Sequence, residues 1–127
     1  MPKPLLATAK RTLLSRLGHR QTLLREEILR SGFFNPEWYL GHHPELRQDP
    51  LARRDPLGHF MRHGARQGLS PGPGFHTAWY LEAYEDVRGA RINPLIHYLR
   101  HGRHEERRPT PHLAGIRDSL PYLQGGR

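Results

Sequence analysis

Residues 93–102 read NPLIHYLRHG, and residues 55–64 read DPLGHFMRHG. The two stretches carry Pro, Leu, His, Arg, His and Gly at the same places, 38 residues apart. In each, Asp55 or Asn93 suits a helix N-cap, because a short side-chain acceptor can take a free backbone N–H of the first turn. Pro56 or Pro94 follows at N1, where its missing N–H costs nothing. Leu57, Phe60 and Met61 then fall at i, i+3 and i+4, as do Leu95, Tyr98 and Leu99, so each helix has one apolar stripe. Gly64 and Gly102 suit the left-handed turn that ends a helix. His59 with His63, and His97 with His101, lie off the stripe at roughly 100° per residue, which places them on the solvent side.

The echo extends upstream. Phe34, Trp38, Tyr39 and Leu40 recur at Phe75, Trp79, Tyr80 and Leu81, a spacing of 41, whereas Pro71 and Pro73 recur 38 residues on at Pro109 and Pro111. Three residues are therefore missing from the second copy, between Leu46 and Asp55 of the first, where RQDPLARRD is answered by RGARIN. That segment reads as a polar loop, and a duplication with its indel in a loop indicates repeated supersecondary units. Each unit opens on a further helix signature. Asn35 caps, Pro36 takes N1, and Phe34 at N′ meets Tyr39 at N4 as a hydrophobic staple, repeated by Phe75 and Tyr80. With His76 and Thr77 in place of Asn-Pro, Thr77 is the expected cap of the second copy, one residue later.

A chain of 127 residues, 35% hydrophobic, suits one small unit with a modest core. Without cysteine it has no disulfide, thiolate nucleophile or thiolate zinc site, and no apolar run approaches the roughly 20 residues that span a bilayer. The apolar residues at the start are scattered among charges, unlike a secretory signal, so a soluble cytoplasmic chain is expected. The net charge of +8 is uneven: residues 1–31 hold seven Lys or Arg against Glu26 and Glu27, while residues 32–102 hold eight Arg against seven acids.

The two copies, FNPEWYLGHHPEL…DPLGHFMRHGARQGLSPGP and FHTAWYLEAYEDV…NPLIHYLRHGRHEERRPTP, resemble a bacterial repeat of roughly 40 residues. Its pattern is Phe-Asp-x-x-Tyr-Tyr-Leu-x-x-Asn-Pro-Asp-Val…Asn-Pro-Leu-x-His-Tyr-Leu-x-x-Gly-x-x-Glu-Gly-Arg-x-Pro-x-Pro. The resemblance covers about residues 34–111. That repeat is found beside glycosyltransferase domains, including rhamnan-synthesis-type proteins, and in some large surface proteins. The resemblance implies a bacterial setting in cell-surface polysaccharide synthesis, with a glycosyltransferase as partner, and no catalytic residues in this chain. Gln67-Gly68-Leu69 and Glu105-Glu106-Arg107 each break Glu-Gly-Arg at a different place, as a structural turn tolerates better than a binding signature does.

Chemistry is sparsely signalled. A P-loop would need Gly-Lys-Ser or Gly-Lys-Thr, absent from GARQGLSPGPG. The His-x-x-x-His pairs, His59 with His63 and His97 with His101, have the i, i+4 spacing of two metal ligands but lack an evident third, so neither metal nor cofactor is expected. Trp38 and Trp79 offer flat rings, and Arg62 and Arg100 offer cations; these four are the candidate contacts for a ligand or partner. In the N-terminal segment Leu6, Ala9, Leu13, Leu17, Leu24 and Ile28 form a stripe, with Gly18 a break. As a helical cap this segment buries Leu13 and Leu17 against the first repeat; as a basic amphipathic helix it binds an anionic membrane surface, and the former is preferred.

The expected fold is all-α: a basic helical segment at 1–32, helical-hairpin repeat units at 33–73 and 74–111, and a loosely ordered tail at 112–127. The expected function is a non-catalytic interaction module of glycosyltransferase or surface-polysaccharide machinery, cytoplasmic or peripheral at the inner membrane. The alternative is a small basic nucleic-acid-binding protein.

Overall fold

The computed structural model describes residues 3–111, without the side chains of residues 3–12 and Leu14. It is all-α, and among the described residues there is no strand, only an isolated bridge between Gly72 and Phe75. Helix α1 (Lys3–Ser31) precedes two units. The first contains α2 (Pro36–His42), a 3-10 turn (Pro44–Gln48), α3 (Pro50–Arg54) and α4 (Pro56–His59), which continues as a π turn over Phe60–Gly64. The second contains α5 (Thr77–Ala83), α6 (Glu85–Ala90), α7 (Pro94–Arg100) and a 3-10 turn (Gly102–Glu105). The expected tail at 112–127 lies outside the described residues.

The caps form where side-chain chemistry requires them. Asn35 accepts from Trp38 N–H at 3.0 Å, Asp55 from Gly58 N–H at 3.1 Å, and Asn93 from Leu95 and Ile96 N–H at 2.9 and 3.2 Å. The staples close as ring contacts, Phe34 on Tyr39 at 5.5 Å and Phe75 on Tyr80 at 5.0 Å between centroids. In the second unit the cap is His76, not Thr77: the imidazole Nδ1 accepts from Trp79 N–H at 3.2 Å, as Asn35 does, and α5 begins without a shift. Each unit is then tied end to end by one backbone bond. Asn35 N–H donates to the Pro71 carbonyl at 3.0 Å, and His76 N–H to the Pro109 carbonyl at 2.8 Å.

The expected polar loop is instead helical. Asp49 caps α3 through Leu51 and Ala52 N–H at 2.9 and 3.1 Å, and Ala52 is buried, so the three extra residues of the first copy are spent on a helical turn. Gly64 and Gly102 do not adopt the left-handed conformation either. That role falls four residues later, to Gly68 (φ 82°) and Glu106 (φ 61°). Leu69 N–H bonds to Gly64 C=O and Arg107 N–H to Gly102 C=O, both at 2.9 Å, with Gly68 N–H to Ala65 C=O and Glu106 N–H to Arg103 C=O inside them. These nested bonds are a Schellman ending in both copies.

One core runs through both units. Tyr39, Phe60, Phe75, Tyr80 and Leu95 are fully buried, and Phe33 sets its ring edge-on to Phe75 and Tyr98 at 6.3 and 5.7 Å, joining the segment after α1 to the second unit. Helix α1 is continuous through Gly18, with no break, since a glycine in a helix lowers its stability without forbidding it. Among its described side chains, those that bind the units lie in its C-terminal part. Ile28 is fully buried, the Arg25 guanidinium pairs with both Asp55 oxygens at 3.1 Å, and Arg100 grips Glu27 with a shortest distance of 2.8 Å. Leu13 and Leu17 are 57% and 49% exposed, so the expected burial of these two leucines against the first repeat does not occur. Leu6 and Ala9 lie outside the described side chains. No helix among the described residues is long and apolar enough to cross a membrane.

Candidate interaction surface

The first histidine of each pair is a core residue. The Tyr39 hydroxyl on α2 lies 2.8 Å from His59 Nδ1, and the Tyr80 hydroxyl on α5 lies 2.8 Å from His97 Nδ1. His59 and His97 are 2% and 8% exposed, which overturns their expected place on the solvent side. The reason is that α4 and α7 are covered on two faces. Their stripes meet the core, and the opposite side lies under the tyrosine of the unit's own first helix. His63 and His101 are exposed. Asp49 Oδ2 stands 3.4 Å from His59 Nε2; a carboxylate can only accept, so we assign the ring hydrogen to Nε2 and the Tyr39 O–H as donor to Nδ1. Burial holds both imidazoles below their ordinary range, outweighing Asp49 at His59 and Asp86 with Glu105 at His97. Burial likewise raises both phenols, so each pair is neutral at pH 7.

Glycine completes the arrangement. A Cβ on Gly64 would strike the Tyr39 hydroxyl, and one on Gly102 the Tyr80 hydroxyl. Tyr, His and Gly therefore recur together because the hydroxyl that bonds the imidazole also fills the space beside the glycine. The sequence held a signal for this: the resembling repeat contains the tyrosine, the first histidine and the glycine, but not the second histidine.

The paired rings lie 5.6 Å apart for His59 and His63 and 5.7 Å for His97 and His101, yet the first of each pair has Nδ1 bonded to tyrosine. Among the described residues no group of three His, Cys, Asp or Glu is placed to hold a metal ion. Trp38 is half-buried and already stacked on His42, 3.9 Å between centroids and 16° between planes. Trp79 is half-buried against the edge of Tyr84. Arg100 is engaged with Glu27, while Arg62 is exposed in a recess with Arg25 and Asp55. There the Arg25 guanidinium and the Gly58 N–H hold the Asp55 carboxyl below the usual carboxylate range.

Sequence reasoning missed one concavity. A cleft of about 520 Å³ opens where the units meet, floored by Met61, Leu81 and Val87 and edged by Ile92. Arg66, Arg88 and Arg91 stand around it. All three guanidinium groups belong to exposed residues; Arg88 also reaches Glu85 at 3.5 Å, and Arg66 and Arg91 have no ion-pair partner among the described residues. Its walls come from positions far apart in the chain, so no local pattern announces it. Comparison with family models, curated proteins and solved structures finds no match.

Proposed function

We propose that the chain is a non-catalytic helical-repeat interaction module of cell-surface polysaccharide synthesis, acting beside a glycosyltransferase. The observation that carries this reading is the fate of the duplicated residues. Caps, staples, Tyr–His pairs and Schellman turns use up the shared motif in closing each unit, and leave a concave surface between the units for a partner. On this reading the resemblance supplies the setting and the surface supplies the role. The protein works in the cytoplasm, at the inner face of the membrane.

The test is association with the enzyme that the resemblance implies. Reading frames flanking the gene should include a glycosyltransferase, and that enzyme should co-elute with this chain in size-exclusion chromatography. Flanking frames without a transferase, or separate elution of the two proteins, would sink the proposal. Retention on random-sequence DNA that collapses steeply with salt would instead favour the nucleic-acid-binding alternative.

A second contact is favoured by one observation. Leu13 and Leu17, one turn apart, are exposed on a helix segment that also carries Arg16 and Arg20, as suits a helix lying on an anionic membrane surface.

A further inference from the structure

We propose that the cleft between the two units is a docking site for an acidic peptide segment of a partner protein, one that inserts an aliphatic side chain between flanking carboxylates. The proposal rests on the interaction-module reading and names the chemistry that the surface selects. Arg66 comes from the end of the first unit, and Arg88 and Arg91 from α6 and the left-handed residue (φ 58°) that ends it, so both units supply cations to one concave site. None of its lining residues is acidic. Guanidinium groups suit carboxylates because two parallel N–H groups can meet two oxygens, and arginine and methionine are enriched in protein interfaces.

The floor separates this occupant from other anions. Met61, Leu81, Val87 and Ile92 are aliphatic, and Ile92 is 44% exposed, an apolar surface that a leucine or isoleucine side chain would cover. No lining residue is aromatic, so bases find no stacking platform there. Asn93 is the only uncharged polar lining residue, and its side-chain oxygen is occupied by Leu95 and Ile96 N–H, which leaves little to read sugar hydroxyls. A neighbouring recess of about 400 Å³ shares Met61 and Arg66 and adds Arg62 beside Asp55, whose carboxylate is paired with Arg25, so the basic rim extends through Arg62 toward α1 along a line that a peptide could follow. An acidic segment with an aliphatic anchor meets both features.

The full chain would be titrated, at low ionic strength, into a fluorescein-labelled, amidated peptide of sequence Asp-Asp-Leu-Asp-Ile-Leu-Asp-Asp, with anisotropy as the readout. Saturable binding at or below roughly 100 μM is expected. Arg66→Glu and Arg91→Glu should each weaken it at least about tenfold, whereas Arg53→Glu and Arg54→Glu, outside the cleft, should change it less than about twofold. Because a variant can misfold, a peptide with Leu and Ile replaced by Ser is tested against the unaltered chain and should also lose about tenfold. Absence of binding, equal losses at Arg53 and Arg66, undiminished binding of the Ser peptide, or tighter binding of oligo-dT would each overturn the proposal. The two readings fail separately. A transferase complex that survives Arg66→Glu and Arg91→Glu removes the cleft and keeps the module, while peptide binding without any transferase complex does the reverse.

Discussion

Each tyrosine hydroxyl of the duplicated motif has two neighbours, an imidazole nitrogen that it bonds and a glycine whose missing side chain makes room for it. The two roles are separable by mutation. Gly64→Ala should cost about 1–3 kcal/mol in urea denaturation, the usual range for forcing an extra carbon into a packed site. In a Tyr39→Phe background, which itself costs about 1 kcal/mol through the lost hydrogen bond, the added cost of Gly64→Ala should shrink by at least about 1 kcal/mol. Strict additivity would show that the hydroxyl is not the obstacle. The same pairs set the response to acid. His59 and His97 have folded-state pKa values below the unfolded value near 6.5, so the unfolded chain binds protons first as pH falls. Their contribution is present above about pH 6.5 and is lost below it, well before the paired carboxylates Asp55 and Asp86 titrate. The melting temperature should drop between pH 7 and 5, and a His59→Gln, His97→Gln double variant should flatten that slope. An unchanged slope would mean that other groups govern it.

At the scale of single elements, the two Schellman endings are a comparison made within one molecule. Gly68 takes the left-handed residue in the first unit, and Glu106 takes it in the second at φ 61°. A side chain there is strained by roughly 1–2 kcal/mol, partly offset by the roughly 0.5–1 kcal/mol of extra unfolded-state entropy that glycine brings. Glu106→Gly should therefore stabilise the chain by about 0.5–1 kcal/mol, read as a higher urea midpoint at constant slope. A lower midpoint would show that the Glu106 side chain makes a contact worth more than the strain. These endings also mark how far the sequence could be read. Caps at Asn35, Asp55 and Asn93 and staples at Phe34 and Phe75 were legible because their partners lie within five residues. The burial of His59 and His97 was not, since each depends on a tyrosine 20 or 17 residues away on another helix. Gly64 and Gly102 are required for a reason other than the one their spacing suggests. A glycine near a helix end suggests a left-handed turn, and only the packed structure reveals a hydroxyl against its Cα. The cleft was illegible for the same reason, because Met61, Leu81 and Arg91 meet only once the two units are packed together.

In the whole molecule, the described side chains of α1 divide into those near its end that join the core and those at Leu13 and Leu17 that stand exposed. The 29 residues of α1 rise about 43 Å at ~1.5 Å each, yet among the described side chains the ion pairs and the fully buried residue that bind it to the units are Arg25, Glu27 and Ile28. Arg25 reaches the first unit and Glu27 the second, so this end of the helix clamps both units across their junction. The preceding turns expose Leu13 and Leu17. Removing residues 1–19 should accordingly leave the circular-dichroism melting temperature within about 2 °C of the full chain, because no buried contact of Ile28 or ion pair of Arg25 and Glu27 is touched. Removing residues 1–31 should lower it far more, since the buried Ile28 and both clamps go together. Sedimentation with anionic vesicles then tests what the exposed part does: the full chain should bind, less so as salt rises, and Leu13→Ser with Leu17→Ser should abolish binding without moving the melt. If the 1–19 deletion melts as early as the 1–31 deletion, the division of α1 is wrong and its outer turns contribute to the fold. If both deletions behave as expected but the full chain ignores vesicles at low salt, the exposed leucines do not serve a membrane surface.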